Sequence, residues 1–163
     1  MMGGFLAPVS AEANVIDDHN RLLNAVKATG VVVKINPARC DTETSLGWYW
    51  AAKNELVVCQ ENKIEGSSSQ VRWTAEDLDT VRHEAHHLVQ DCRDRSLNGS
   101  LHAVYTKPVE MSLDVLSRRK AEWIAESYSE RGEHIVVMEL EAFAVAQMND
   151  PAEQVRDIQN FCF

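Results

Sequence analysis

Apolar residues recur along this chain with two different periods, and the change of period divides it into helices and strands. Leu78, Val81, Ala85, Leu88, Val89 and Cys92 fall on one broad stripe at helical spacing. Thr74, followed by Glu76 and Asp77, supplies an N-cap and first-turn acids that complement the helix dipole, so a helix is predicted from about Thr74 to Asp91. Val15, Leu22, Leu23 and Val26 predict an earlier helix from about Ser10 to Thr29, with Ser10 as its cap and Gly30 as its breaker. Three strands come between the two. Val31 to Ile35 is β-branched, Leu46 to Ala52 carries Trp48, Tyr49 and Trp50, and Glu55 to Gln60 returns after a turn at Lys53-Asn54, so the last two form a hairpin. Glu61 to Gln70, with Gly66 and its serines, reads as a loop.

Beyond the breaker Asn98-Gly99 the chain is irregular to Lys107. Pro108 opens a helix expected to run to about Arg131, with Val109, Leu113, Leu116, Trp123 and Ile124 facing inward. His134 to Met148 forms another helix, and Asp150-Pro151 starts a short last one carrying Val155, Ile158 and Phe161. The expected architecture is a single α+β domain over residues 1–163, with residues 1–9 flexible and a small antiparallel sheet of about three strands packed beside a helical layer.

Composition narrows the picture. A length of 163 residues, 45% apolar and 25% charged, suits one soluble domain with one core. The net charge of −9 leaves no cationic footprint for nucleic acid, and Arg118-Arg119-Lys120 reads as a solvated helix face. No apolar run is long enough to span a membrane. The first basic residue is Arg21, so no signal-peptide n-region is seen, and a cytoplasmic or virion-associated location is expected over secretion. Cys40, Cys59, Cys92 and Cys162 form no C-x-x-C pair; two disulfides and buried free thiols both fit.

The chemistry lies in His83-Glu84-Ala85-His86-His87, an H-E-x-x-H sequence on the predicted helix. Positions four apart on a helix are turned by about 40° and separated by about 6 Å, so His83 and His87 share a face and can grip one metal ion. Glu84 stands beside them as a general base for a water. His86 is a surface or packing histidine. A third ligand is needed, and Glu139 or Glu141 supplies it, being acids in an otherwise apolar helix. The two are about 200° apart, so only one can meet the metal.

An H-E-x-x-H helix after a small sheet, with a glutamate on a later helix, resembles the zincin metallopeptidases of the gluzincin type. The E-x-x-A pattern of those families fits Glu139 with Ala142 and equally Glu141 with Ala144. Glu139 is favoured, although Phe143 stands where several of these families continue with an acid. The stretch HEAHHLVQD also resembles the H-E-x-x-H-x-x-x-D form of the active helix, in which Asp91 would orient a ligand from behind. The HEAHH, QDC and E-L-E-A wording is similar to that of small zincin-like proteins of cyanobacteria and their viruses.

The resemblance implies zinc as the cofactor and a peptide or protein as the substrate, hydrolysed with Glu84 as base and with Tyr105, His102, Tyr128 or His134 donating to the oxyanion. The alternative is a non-catalytic structural or interaction protein on a zincin scaffold, for example a viral particle component with an assembly partner. Trp48, Tyr49 and Trp50 would pack the sheet or, in the active reading, belong to an edge strand that binds substrate.

Overall fold

The computed structural model describes residues 11–163. Ser10 and the segment 1–9 lie outside the described residues. Six α-helices and three short strands are present among the described residues, in the order α1 (Ala11–Ala28), β1 (Val32–Ile35), β2 (Gly47–Trp50), β3 (Glu55–Val58), α2 (Ala75–Asp91), α3 (Pro108–Val115), α4 (Arg118–Tyr128), α5 (Glu133–Met148) and α6 (Pro151–Cys162). The α+β class expected from the sequence is the class observed. No helix among the described residues is long and apolar enough to cross a membrane.

The sheet is mixed, not wholly antiparallel. Its strand order is β1-β3-β2, with β3 antiparallel to β2 and parallel to β1. The link from Asn36 to Leu46 skips one strand position, and the β2–β3 hairpin then inserts β3 into the gap. Two reversals of direction leave β1 and β3 running the same way. Central β3 is accordingly the most buried strand, with Leu56, Val57 and Val58 in the interior. Asn54, in the left-handed region at φ 49°, closes the hairpin.

The single helix expected from Pro108 to Arg131 is two helices. Ser117 caps α4 by accepting the Lys120 N–H, and Leu116 is extended. A serine that caps offers the chain an alternative to the helical ladder, so α3 stops and α4 restarts in a new phase. Leu116 and Ile124 are buried as expected, but Val109, Leu113 and Trp123 are exposed.

α2 is the central element, packed against α1, β2, β3, α5 and α6. Its Val81, Ala85 and Leu88 join Leu22 and Val26 of α1, Leu56 and Val58 of β3 and Ile158 of α6 in the main core. A smaller core joins Leu116, Ala121 and Ile124 to Leu140 and Ala144. The cysteines form two disulfides, Cys40–Cys59 beside β3 and Cys92–Cys162 between the end of α2 and the end of α6.

Candidate metal centre

A helix with as many buried polar side chains as α2 must give each of them a partner. At its start Thr74 and Asp77 form a capping box, and Asp77 also accepts the Glu61 N–H at 2.7 Å. This fixes where the helix begins and therefore where the histidines point.

Three donor atoms from two helices converge. His83 Nε2 lies 3.1 Å from His87 Nε2 and 3.1 Å from Glu139 Oε2, and His87 Nε2 lies 3.4 Å from the same oxygen. Tetrahedral ligands bound at 2.0–2.1 Å are separated by about 3.3–3.4 Å, close to these separations of 3.1–3.4 Å. Glu84 belongs to the cluster too. Ligand atoms of His83, Glu84 and His87 lie within 4.8 Å of one another, and the group, buried throughout, could hold a metal ion. His83 Nδ1 is buried without a hydrogen-bond partner, which leaves its other nitrogen as the atom through which this ring acts.

The electrostatics are those of a buried cluster of opposite charges. Burial pushes the Glu84 carboxyl up, and His83, His87 and, last, the Tyr49 N–H donated to it only partly oppose this. Burial works the same way on Glu139, but the two histidines outweigh it and hold that carboxyl below its ordinary range. Burial disfavours the charged His87 ring; the carboxylates of Glu139 and Glu84 and the Gln90 side chain overcome this and bring it up to about 9.

Of the four side chains considered as oxyanion donors, Tyr128 alone is at this site. It hydrogen-bonds to Glu139, and burial together with the Glu139 and Glu84 charges pushes its phenol up to about 12. The other three have their contacts elsewhere. His134 Nε2 donates to the Leu101 carbonyl at 2.8 Å, the His102 N–H donates to the Gln90 carbonyl, and the Tyr105 ring borders a shallow groove with Met111 and Met148.

Glu141, the alternative ligand, faces away from the cluster. It accepts from His86 Nε2 at 2.8 Å, both side chains being fully buried, and from the half-buried Val104 and Tyr105 N–H groups. The angular separation read from the sequence thus sends the two glutamates to different histidines, and His86 is a packing histidine sealed in the core. Asp91 does not orient an imidazole. It accepts from the Tyr49 hydroxyl at 2.6 Å and from the Gly99 N–H at 2.8 Å, tying β2 and the following loop to α2. Gln90, one residue earlier, is the group that touches His87, at 2.7 Å from Nδ1. Sequence reading passed over it; an amide in line with the buried face of the helix was the available signal.

A cleft of about 690 Å³ opens onto His83 and Glu84. One wall is the segment Thr44 to Gly47 leading into β2, whose outer edge carries no partner strand among the described residues. The opposite wall comes from Lys120, Trp123 and Tyr128 of α4 and Phe143 of α5. Phe143 stacks obliquely on the His83 ring with centroids 4.2 Å apart, and Trp123 meets Phe143 edge-on at 6.0 Å. Trp48 packs by the Cys40–Cys59 disulfide, and Trp48 and Trp50 carry Arg39 over their rings at 5.2 and 5.3 Å.

The sequence model of a domain of unknown function, DUF8637, matches residues 5–163. The chain belongs to this family. No curated protein and no solved structure matches it. Because the DUF8637 match spans α1 to α6, both helices of the metal centre and every wall of the cleft lie within the family domain.

Proposed function

We propose that this member of the DUF8637 family is a zinc-dependent metallopeptidase of the zincin type, with His83, His87 and Glu139 as ligands and Glu84 as general base. The observation that carries the reading is the convergence of His83 Nε2, His87 Nε2 and Glu139 Oε2 within 3.4 Å of one another, beside a buried carboxylate at a cleft. Two imidazoles and one carboxylate suit zinc, which polarises a carbonyl and makes a nearby water easier to deprotonate.

The rest of the chemistry falls to the chain. A peptide lies in the cleft alongside the unpaired edge of β2, where backbone groups can hold an extended segment. Glu84 takes the proton of the attacking water on its carboxylate and passes it to the leaving nitrogen. Burial raises its pKa, so it takes up the proton of the water more readily than an exposed carboxylate would. Tyr128, on the α4 wall, would turn its one hydroxyl proton from Glu139 to the developing oxyanion and serve as its donor. Phe143 and Trp123 cover His83 and limit water on that side. A non-catalytic scaffold would need neither the cleft nor an unligated buried acid beside the ligands.

The experiment is metal analysis joined to peptide hydrolysis. Purified protein should hold about one zinc per chain. Glu84→Gln should keep the metal and lose hydrolysis by about 10²–10⁴-fold. Protein that takes up no zinc on loading, or a Glu84→Gln variant that still cleaves, would refute the proposal.

A further inference from the structure

Gln90 is completely buried, and both ends of its amide are engaged. Nε2 donates to the Met138 carbonyl at 3.0 Å and to Glu141 Oε1 at 3.0 Å. A carbonyl and a carboxylate accept only, so the amide nitrogen must be the atom that faces them. The amide oxygen is thereby turned to His87 Nδ1, 2.7 Å away, and an oxygen there requires a proton on that nitrogen.

Glu141 is itself held rigidly. Besides Gln90 it receives His86 Nε2 at 2.8 Å, the Val104 N–H at 2.9 Å and the Tyr105 N–H at 3.0 Å. These donors come from α2 and from the loop before α3, while Glu141 and Met138 belong to α5. The orientation of one amide is thus set by three separate parts of the chain.

We infer that Gln90 and Glu141 are positioning residues for the metal centre: Glu141 fixes the Gln90 amide, and the amide keeps the His87 proton on Nδ1, so that Nε2 is the nitrogen offered to a metal. The arrangement is a carboxylate acting on a ligand imidazole through an interposed amide, where metal sites more often place the carboxylate directly on the ring. It explains why α5 carries two buried acids two residues apart. Glu139 addresses the ligands, and Glu141 addresses the side chain that aligns one of them. It rests on the metal reading above for its purpose, but the position of the proton is a property of the chain alone.

The test uses full-length protein with ¹⁵N-labelled histidine. Nitrogen–proton NMR of the zinc-loaded protein, and of the metal-free protein at alkaline pH where the ring carries a single proton, should both show that proton on His87 Nδ1, slow to exchange with water. In Gln90→Met, which keeps the volume and removes the acceptor, that proton should exchange rapidly. Zinc affinity, measured against a competing chelator, should fall about 10–100-fold, and the visible spectrum of the cobalt-substituted protein should change. A wild-type His87 with bare Nδ1 in the metal-free chain would overturn the inference without reference to metal. So would a folded Gln90→Met with unchanged zinc affinity and cobalt spectrum. Should wild-type protein bind no zinc while Nδ1 carries its proton, the peptidase reading falls and the alignment of His87 stands.

Discussion

Gly47 and Thr80 approach so closely that a Cβ added to the glycine would lie 2.6 Å from Thr80 Cγ2 and 2.7 Å from the Val57 carbonyl oxygen. Both neighbours are held, one by the middle of α2 and one by the central strand. The same Cβ would stand 3.4 Å from Glu84 Cγ, so the fit of β2 onto α2 also sets the height of the strand above Glu84, the proposed general base. Gly47→Ala is therefore expected to push β2 outward and to cost about 1–3 kcal/mol, as overpacking does. Chemical denaturation measures the loss. Zinc affinity should survive, because no ligand lies on β2, while hydrolysis falls. A variant as stable and as active as the wild type would show that the strand does not register the base.

Glu139 and Glu141 should separate cleanly by mutation. Glu139→Ala removes a donor from the converging trio and is expected to weaken zinc binding by more than the roughly 10–100-fold typical of losing a supporting partner. It also leaves buried His87 without its carboxylate partner, so the metal-free fold should lose stability as well. Glu141→Ala strands His86 and the Val104 and Tyr105 N–H groups in the interior and should cost about 3–5 kcal/mol of stability. Chelator competition and urea unfolding of both variants give the comparison. Equal, small losses of zinc affinity would exclude Glu139 as a ligand.

How far these features were legible depends on how local they are. α2, its Thr74 cap and the shared face of His83 and His87 follow from period and spacing within one helix, and they were readable. Glu139 was readable as an acid in an apolar run, but its choice over Glu141 needed the packing of α5 on α2. The parallel pairing of β1 with β3 depends on where a hairpin inserts, which no strand sequence encodes. The break at Ser117 was hidden because the residues on both sides favour helix, and one side chain capping a backbone N–H decides the matter. Asp91 had the spacing to meet His87 but is drawn off by Tyr49 and Gly99, and Gln90 takes its place.

The metal-free protein should lose stability as pH rises above neutrality. His87 titrates near 6.5 when unfolded and at about 9 when folded, where the Glu139 and Glu84 carboxylates and Gln90 outweigh the burial of its charge. A group raised on folding stabilises fully below its unfolded value and ceases to do so as pH passes its folded one. Glu84, raised by burial, acts in the same direction. On the acid side, Glu139 and Glu141 are held below their ordinary 4.5, so their contribution is present above that value and is lost as pH falls through the folded one. Zinc competes with the His87 proton, and its stabilising effect should grow over the interval in which the metal-free protein weakens. Melting curves from about pH 5 to pH 10, with chelator and with zinc, would reveal both trends. A metal-free melting temperature that holds constant or climbs between 6.5 and 9 would show that His87 and Glu139 are not paired.

The two disulfides should contribute unequally. Cys40–Cys59 spans 19 residues of sequence and Cys92–Cys162 spans 70. Closing the longer loop removes more freedom from the unfolded chain, by about 1 kcal/mol on the chain-entropy account, from a typical 2–4 kcal/mol for either bond. The longer link also has a particular position. Cys92 caps α2 one residue after Asp91, so the bond fastens the end of the helix that carries His83 and His87 to α6, whose Ile158 fills the core beneath it. Changing Cys92 and Cys162 together to alanine is therefore expected to lower stability more than changing Cys40 and Cys59 together. Zinc affinity should be unaltered in both variants below their melting temperatures, since the ligands sit a turn or more away from either bond. Urea unfolding of the two double variants, each compared with wild type before and after reduction, measures the order. A greater loss from the shorter loop would mean that native contacts around β3, and not the entropy of the unfolded chain, govern what the cysteines contribute.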